Sequence, residues 1–309
     1  MKNDLSAWPL NMNELSDEIC GVKMSPTPPE WLSSTPSPEA QLYDLGKRGF
    51  IDHFEDYKKS QELEKLVTGK RIAIVGPSPH LTGLGGGELI ESYDLVVRIN
   101  QHFSAPQHQW FDYGVRTDIL FNCYNALKAQ ALYSSYIDDP SYLKKIKFFL
   151  QANLSMWDIN EADASLQHIL NAAGGIPYQN ISDGYIFKIC AQAGTICNTG
   201  LIGLITLLNY DVEEIYLTGY TFYNMGSFGK IYNDVYHDEA VKYKNIKMTE
   251  NREPTPANLR MDIHAQWPQI YFFKCIIDHQ IRTNNRIIKM DDYLEENFVN
   301  NFPDKEFRK

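Results

Sequence analysis

Short apolar segments that alternate with helical ones are the feature of this sequence that most constrains its fold. Six segments have the length and apolar content of buried strands: Arg71–Val75, Leu95–Ile99, Asp118–Asn122, Ile146–Leu150, Glu214–Thr218 and Arg286–Met290. Three segments have the apolar periodicity of helices: Ala162–Ala172, Thr199–Asn209 and Trp267–Ile281. Because buried strands joined through helices pair in parallel and are covered on both faces, this order predicts an α/β, Rossmann-like fold with a mostly parallel sheet and helices on both faces. Ligands of such sheets bind beyond the carboxyl ends of the strands.

The length and charge of the chain bound its class. With 309 residues, of which 43% are hydrophobic, the chain can bury one large core. We expect a peripheral and helical N-terminal segment over residues 1–68, which includes the Pro/Ser-rich stretch MSPTPPEWLSSTPSPE, and one Rossmann-like domain over residues 69–309. The formal net charge of -10 argues against nucleic acid as the main partner.

The cellular location is predicted from three features of the sequence. No apolar run approaches the roughly 20 residues that a transmembrane helix needs. The first residues lack the basic-then-apolar order of a signal peptide. The five cysteines form no C-x-x-C pair, which favours free thiols in a reducing compartment. We therefore expect a cytoplasmic protein, and peripheral association with a membrane stays open.

Two glycine-containing segments predict where a ligand binds. The first, VGPSPHLTGLGGGELIESYDLVVRIN, follows the first strand and ends on the second at Asn100. It is neither a G-x-G-x-x-G turn before a long helix nor a P-loop, but a glycine-rich turn after a buried strand is typical of backbone that approaches a phosphate. In the second segment, CNTGLIGLITLLNYDVEEIYLTGY, Asn198 or Thr199 can cap a helix whose first amides would bind an anion. An ordinary capped helix is the alternative for this segment taken alone.

Together the two segments resemble the large and small sialyl motifs of the eukaryotic-type sialyltransferases. The positions in register with the large motif are Val75, Gly76, Ser78, Ile90, Asp94, Val96, Arg98, Asn100, Gly114 and Thr117. The small motif matches at Thr199-Gly200 and Gly219-Tyr220. The resemblance implies a GT-A-like variant of the fold and an inverting transfer of an acidic sugar from its CMP-activated form to a glycan hydroxyl. The donor-binding residues it implies are Gly76, Ser78, Asn100, Asn198, Thr199, Gly200, Gly219 and Tyr220.

The resemblance also implies two catalytic histidines. His264 matches the family's late histidine, the general base, although Gln269 stands where the family has a glutamate five residues on. A helix that begins just after His264 would favour the neutral imidazole, the form that a base needs. His237, in VYHDE, is the nearest candidate for the family's phosphate-binding histidine. We interpret the other histidines, including His80, as surface or packing residues, and the acidic pair at Asp291 as solvated loop charge.

The predicted donor requires no metal or further cofactor. The sequence contains no D-x-D triplet of the kind that holds a metal-diphosphate. A CMP-activated sugar carries one phosphate, and preorganised hydrogen-bond donors can stabilise its departure without a metal. We therefore expect a metal-independent glycosyltransferase of polysaccharide biosynthesis, whose partners are a CMP-sugar donor and a glycan or glycolipid acceptor. The donor sugar stays open among sialic acid, another nonulosonic acid and Kdo.

Two other functions stay open. Pro77 replaces an asparagine that is common in the large motif, and together with Gln269 it leaves room for a catalytically silent nucleotide- or glycan-binding module. A dinucleotide-dependent oxidoreductase is disfavoured, because the second strand ends at Asn100 and not at an acidic residue that could bind a ribose.

Overall fold

The computed structural model describes residues 55–100, 107–123, 140–152, 167–222, 266–285 and 287–300. Within these ranges, seven strands form one sheet, in the order β5-β4-β3-β2-β1-β6-β7, and each neighbouring pair is parallel. The strands are β1 (Arg71–Val75), β2 (Leu95–Ile99), β3 (Ile119–Asn122), β4 (Phe148–Gln151), β5 (Tyr178–Asn180), β6 (Glu214–Thr218) and β7 (Ile288–Met290).

The described helices connect or flank these strands. They are α1 (Gln61–Val67), α2 (Gly87–Glu91), α3 (Trp110–Tyr113), α4 (Pro140–Leu143), α5 (167–172), α6 (Asp183–Ala193), α7 (Thr199–Leu207), α8 (Gln266–Arg282) and α9 (Asp292–Leu294). Single turns of 3-10 helix cover Pro79–Leu81 and Gln107–Gln109, and a π-helical turn, Glu295–Asn300, follows α9. None of the helices in the described ranges is long and apolar enough to cross a bilayer.

Alternating strand residues face two separate cores, because successive side chains of a strand point to opposite sides. On β1, Ile72 and Ile74 belong to the larger core, to which α1, α6, α7 and α8 contribute. Ala73 and Val75 belong to a second cluster on the other face, with residues of α2 and α3. Further along the sheet, α4 and α5 cover that second face. The predicted fold class, α/β with a parallel sheet covered on both faces, is confirmed.

β5 and α6 are among the elements of the fold that were not predicted. β5 has three residues, Tyr-Gln-Asn, and lies at the edge of the sheet, so it has neither the length nor the apolar alternation of a predictable strand. α6 begins at the cap Ser182, whose side chain accepts a hydrogen bond from the Tyr185 amide, and ends at Gly194 in the left-handed conformation. Both signals are present in the sequence and could have identified this helix.

The N-terminal segment reaches the core at its described end. Leu63 and Val67 of α1 are fully buried and belong to the larger core. Tyr57 donates a hydrogen bond to Gln179 Oε1 (2.9 Å), and its hydroxyl lies 2.7 Å from the hydroxyl of Tyr210. The division at residue 68 stays a prediction.

Candidate functional site

The strand order places the topological switch point of the sheet between β1 and β6, and we call the region beyond the carboxyl ends of these two strands the crevice. The chain passes from β1 to β2 on one side of β1, whereas β6 and β7 lie on the other side. The connections from β1 to β2 and from β6 to β7 therefore lead toward opposite edges of the sheet, and open parallel sheets bind ligands beyond the strand ends at such a point. The two segments singled out in the sequence supply both loops.

The turns after β1 and β6 touch through backbone. The Gly76 amide donates to Thr218 O (2.8 Å), and the Ser78 amide donates to Gly219 O (3.1 Å). A Cβ on Gly76 would lie 2.3 Å from Gly219 O, and a Cβ on Gly219 would lie 2.3 Å from Gly76 O. Gly219 also has a φ of 76°, which favours glycine. We call Gly76, Ser78 and Gly219 the paired turns.

The N-terminus of α7 lies beside the paired turns. Asn198 caps the helix through its side-chain oxygen, which accepts a hydrogen bond from the Leu201 amide (2.9 Å). Helix geometry leaves the amides of Thr199 and Gly200 without an intrahelical partner. A Cβ on Gly200 would lie 2.7 Å from Tyr220 Cε1 and 2.8 Å from the Tyr220 hydroxyl. The absence of a side chain at Gly200 therefore lets the Tyr220 ring lie against the first turn of the helix.

The hydroxyl of Tyr220 is buried without a hydrogen-bond partner among the described residues. The residue is only 9% exposed, and burial raises its pKa far above the ordinary value, so the hydroxyl keeps its proton. A buried hydroxyl without a partner is costly to a fold. Because the Tyr220 hydroxyl lies at the amino end of α7, it can donate a hydrogen bond to an anion bound there.

Asn100 ends β2 in the left-handed conformation, with a φ of 55°. Asparagine tolerates this conformation better than most residues. Its amide donates to Phe121 O (2.6 Å), and its side-chain oxygen accepts from the Cys123 amide (3.0 Å). The carbonyl of the side chain therefore ties the ends of β2 and β3 together, which leaves Nδ2 as the remaining donor of the side chain.

A buried hydrogen-bond network connects His80 and Asp291 to the paired turns. The Nδ1 atom of His80 lies 3.0 Å from Ser78 Oγ, and its Nε2 atom lies 3.0 Å from Asp291 Oδ2. The same carboxylate accepts hydrogen bonds from Thr218 Oγ1 (2.7 Å) and the Gly219 amide (3.1 Å). The interpretation of Asp291 as solvated charge is wrong, because its side chain is 11% exposed and joins β7 to the turn after β6. His80, which is 5% exposed, is a buried hydrogen-bonding residue.

Gln269 positions the cap of α7, a role that the sequence analysis did not predict. It lies fully buried in α8, and its Oε1 atom accepts a hydrogen bond from the Asn198 amide (2.9 Å). A carboxamide oxygen and a carboxylate oxygen can both accept this bond. Glutamine at this position therefore makes a bond that holds the cap of α7, and a glutamate there could accept the same bond.

The predicted donor residues lie at one edge of the sheet, whereas the two histidines predicted to be catalytic lie outside the described residues. Gly76, Ser78, Asn100, Gly219 and the residues of the α7 cap all lie at the carboxyl edge of the sheet, at the ends of β1, β2 and β6 or at the start of α7. His237 and His264 fall in residues 223–265, so their roles stay predictions. No group of three or more metal-ligating side chains occurs among the residues that the structure describes.

Fold and crevice thus define a Rossmann-like α/β protein with a candidate anion site at the junction of β1 and β6. Among solved structures, the chain is similar to a mammalian sialyltransferase in complex with Gal-beta-1-3GalNAc-ortho-nitrophenol, with 15% identity, 84% of this chain and 83% of that chain covered, and a TM-score of 0.43. It is also similar to the sialyltransferase CstII from Campylobacter jejuni in complex with CMP-3FNeuAc, with 14% identity, 74% and 84% covered, and a TM-score of 0.41. A complex of CstII with cytidine-5'-monophosphate gives 15% identity, 75% and 84% covered, and a TM-score of 0.44.

These similarities are too distant to carry a functional argument. No protein-family model matches the chain, and no curated protein matches it.

Proposed function

We propose that this protein is an inverting glycosyltransferase that moves an acidic sugar from its CMP-activated form to a hydroxyl of a glycan or glycolipid. The observation that carries the proposal is the buried Tyr220 hydroxyl, which lies without a described partner against the first turn of α7. Helix amides without intrahelical partners and a hydroxyl that keeps its proton are together suited to a phosphate.

The donors around the crevice fit a nucleoside monophosphate ester. The amides of Thr199 and Gly200 and the Tyr220 hydroxyl can bind the phosphate oxygens, while Asn100 offers its Nδ2 group one strand further along for the ribose or the phosphate. When the bond between sugar and phosphate breaks, negative charge grows on the phosphate. Donors that are already fixed in place stabilise that charge without reorganising, which favours departure of CMP without a metal.

The transfer itself is assigned to residues 223–265. In this proposal His264 removes the proton of the acceptor hydroxyl as its oxygen attacks the anomeric carbon opposite the departing CMP, so the configuration inverts. His237 steadies the phosphate. The donor sugar is an acid of the sialic acid, nonulosonic acid or Kdo type, and the reaction belongs to cytoplasmic synthesis of a surface polysaccharide or glycolipid.

Direct binding of CMP tests the proposal. By isothermal titration calorimetry we expect CMP to bind more tightly than UMP, inorganic phosphate or NADH. Tyr220→Phe should weaken CMP binding by roughly tenfold to a hundredfold, because a hydrogen bond to a charged group contributes about 1.5–3 kcal/mol. Tyr93→Phe is the matched control, since the Tyr93 hydroxyl binds Glu214 (2.8 Å) at the amino ends of the strands.

Each negative outcome has a distinct meaning. Preferential binding of NADH would replace the proposal with an oxidoreductase. CMP binding that Tyr220→Phe leaves intact would place the phosphate elsewhere. If CMP binds but CMP-activated sialic acid, nonulosonic acid and Kdo all stay intact with a panel of glycan acceptors in mass spectrometry, the protein is a silent binding module.

A further inference from the structure

In the buried network beside the paired turns, the hydrogen-bond donors and acceptors can be assigned. The carboxylate of Asp291 accepts four hydrogen bonds: from His80 Nε2, Thr218 Oγ1 and the amides of Gly219 and Leu294. Burial alone would raise the pKa of Asp291, but the hydrogen bond and charge of His80 and the bonds from Leu294 and Thr218 outweigh it and lower the pKa. Asp291 is therefore an ionised carboxylate, and such a group can only accept hydrogen bonds.

The ionised carboxylate of Asp291 determines which nitrogen of the His80 ring carries a hydrogen. Because Asp291 accepts, Nε2 carries a hydrogen in both charge states of the ring. In neutral His80 the Nδ1 atom has no hydrogen, so the Ser78 hydroxyl donates to it across 3.0 Å. In protonated His80 the Nδ1 atom donates to Ser78 Oγ instead, and the hydrogen of the Ser78 hydroxyl becomes available to another acceptor.

The amide and the carbonyl of Ser78 both form hydrogen bonds within the fold, so its hydroxyl hydrogen is the group that can change its acceptor. Its amide donates to Gly219 O (3.1 Å), and its carbonyl accepts from the Tyr113 hydroxyl (2.8 Å). These bonds hold Ser78 in the turn after β1, which packs against the turn that carries Gly219 and Tyr220. Reversal of a single hydrogen bond therefore changes Ser78 from an occupied donor to an available one without moving the backbone.

We propose that His80 couples nucleotide binding to proton uptake: a phosphate in the paired turns accepts the Ser78 hydroxyl hydrogen, and His80 gains a proton on Nδ1 as it binds. The inference rests on the proposed function, because it requires an anion at this site. His80 acts through Ser78 and is a positioning residue. CMP that leaves the crevice releases the proton again, so binding weakens as pH rises, by roughly tenfold per pH unit at most for one linked proton.

The groups around His80 are consistent with such a role. Asp291 faces it from the segment between β7 and α9, and the Tyr293 ring of α9 stacks on it with centroids 4.7 Å apart. The Tyr113 hydroxyl reaches the same turn through Ser78 O, and Tyr216 of β6 lies close enough to Asp291 for the carboxylate to raise the tyrosine pKa, although burial is the larger cause. Among these groups, Asp291 is the ionised one in direct contact with the ring.

Calorimetry in buffers of different ionisation enthalpy tests this inference. The probe is the methyl phosphodiester of cytidine, because a diester does not titrate near neutral pH as the second ionisation of CMP does. For the wild-type protein, we expect an uptake of up to one proton per bound ligand. His80→Gln and Ser78→Ala should abolish the uptake, while the exposed His108→Gln control should keep it.

The outcomes separate this inference from the proposed function. If neither the diester nor CMP binds, the proposed function is wrong, and the proton coupling is then wrong as well. Binding by the wild type without proton uptake, or uptake that survives in His80→Gln, overturns the coupling alone. If His80→Gln does not fold, nitrogen chemical shifts of His80 in the wild-type protein decide: Nδ1 should gain a hydrogen when the diester binds, and a bare Nδ1 in the complex refutes the proposal.

Discussion

Replacing Gly219 by alanine should destabilise the protein and abolish nucleotide binding, and the structure separates the two causes. The first is conformational: a φ of 76° costs a residue with a Cβ about 1–2 kcal/mol. The second is steric: the new Cβ would lie 2.3 Å from Gly76 O, a backbone atom that cannot rotate away. Overpacking of this kind costs about 1–3 kcal/mol. The sum predicts a loss of about 2–5 kcal/mol in the free energy of unfolding.

Two further alanine variants measure each cause alone. Gly83 has a φ of 84° and no atom within 4 Å of the place that a Cβ would take, so Gly83→Ala should show only the conformational cost. Gly76 lacks a positive φ, but its Cβ would meet Gly219 O at 2.3 Å, so Gly76→Ala should show only the steric cost. Urea unfolding followed by circular dichroism gives the three free energies, and calorimetry gives CMP affinity.

The comparison has a clear refuting result. Gly76→Ala and Gly219→Ala should both lose CMP binding, because either side chain forces the paired turns apart, while Gly83→Ala should keep it. If Gly219→Ala is no less stable than Gly83→Ala and binds CMP as the wild type does, the paired turns are not in contact in solution and do not form the donor site.

Three other variants and one reagent test the proposed donor site and the proposed catalytic histidines. Asn100→Ala should weaken CMP binding by about 1–3 kcal/mol in calorimetry if Nδ2 contacts the donor, and an unchanged affinity in a folded variant would exclude that contact. Cys123, which is partly exposed and bound through its amide to Asn100 Oδ1, should be alkylated more slowly by iodoacetamide when CMP is present, as measured by peptide mass mapping; equal rates would place the nucleotide away from β3. His264→Ala should lower kcat by about 10²–10⁴-fold with CMP affinity nearly intact, whereas His237→Ala should weaken donor binding as well as turnover. A His264→Ala enzyme with wild-type kcat would end the assignment of the base.

The sequence predicted the central strands because their signal is local. The apolar runs around Ile74 and Val97 are buried on both faces of the sheet, and such strands are continuous in hydrophobicity. The glycines of the paired turns were also predictable as places of close approach. Their partner was not, because the contact between Gly76 and Gly219 depends on how β1 and β6 pair.

The supporting network could not be predicted for the same physical reason. His80 and Asp291 lie 211 positions apart in the chain, and each is ordinary in its local context. Gln269 differs from the expected glutamate in charge, but its contact with the Asn198 amide uses an oxygen that both residues have. Local patterns determine elements and turns, whereas polar partners across the sheet are determined by topology.

The position of Asp291 late in the chain has a consequence for when, during synthesis, the protein becomes able to bind a nucleotide. A ribosome delivers β1 to β5 first, yet the carboxylate that binds Thr218, Gly219 and His80 follows β7, the last strand of the described sheet. A nascent chain that stops short of this residue can fold much of its sheet and still lack the support of both turns. Pairing of distant strands is also slow, because closing a long loop precedes any gain from the contact. We therefore expect nucleotide recognition to be among the last properties the chain acquires, so that ligand binding by a nascent chain would report the completion of the fold.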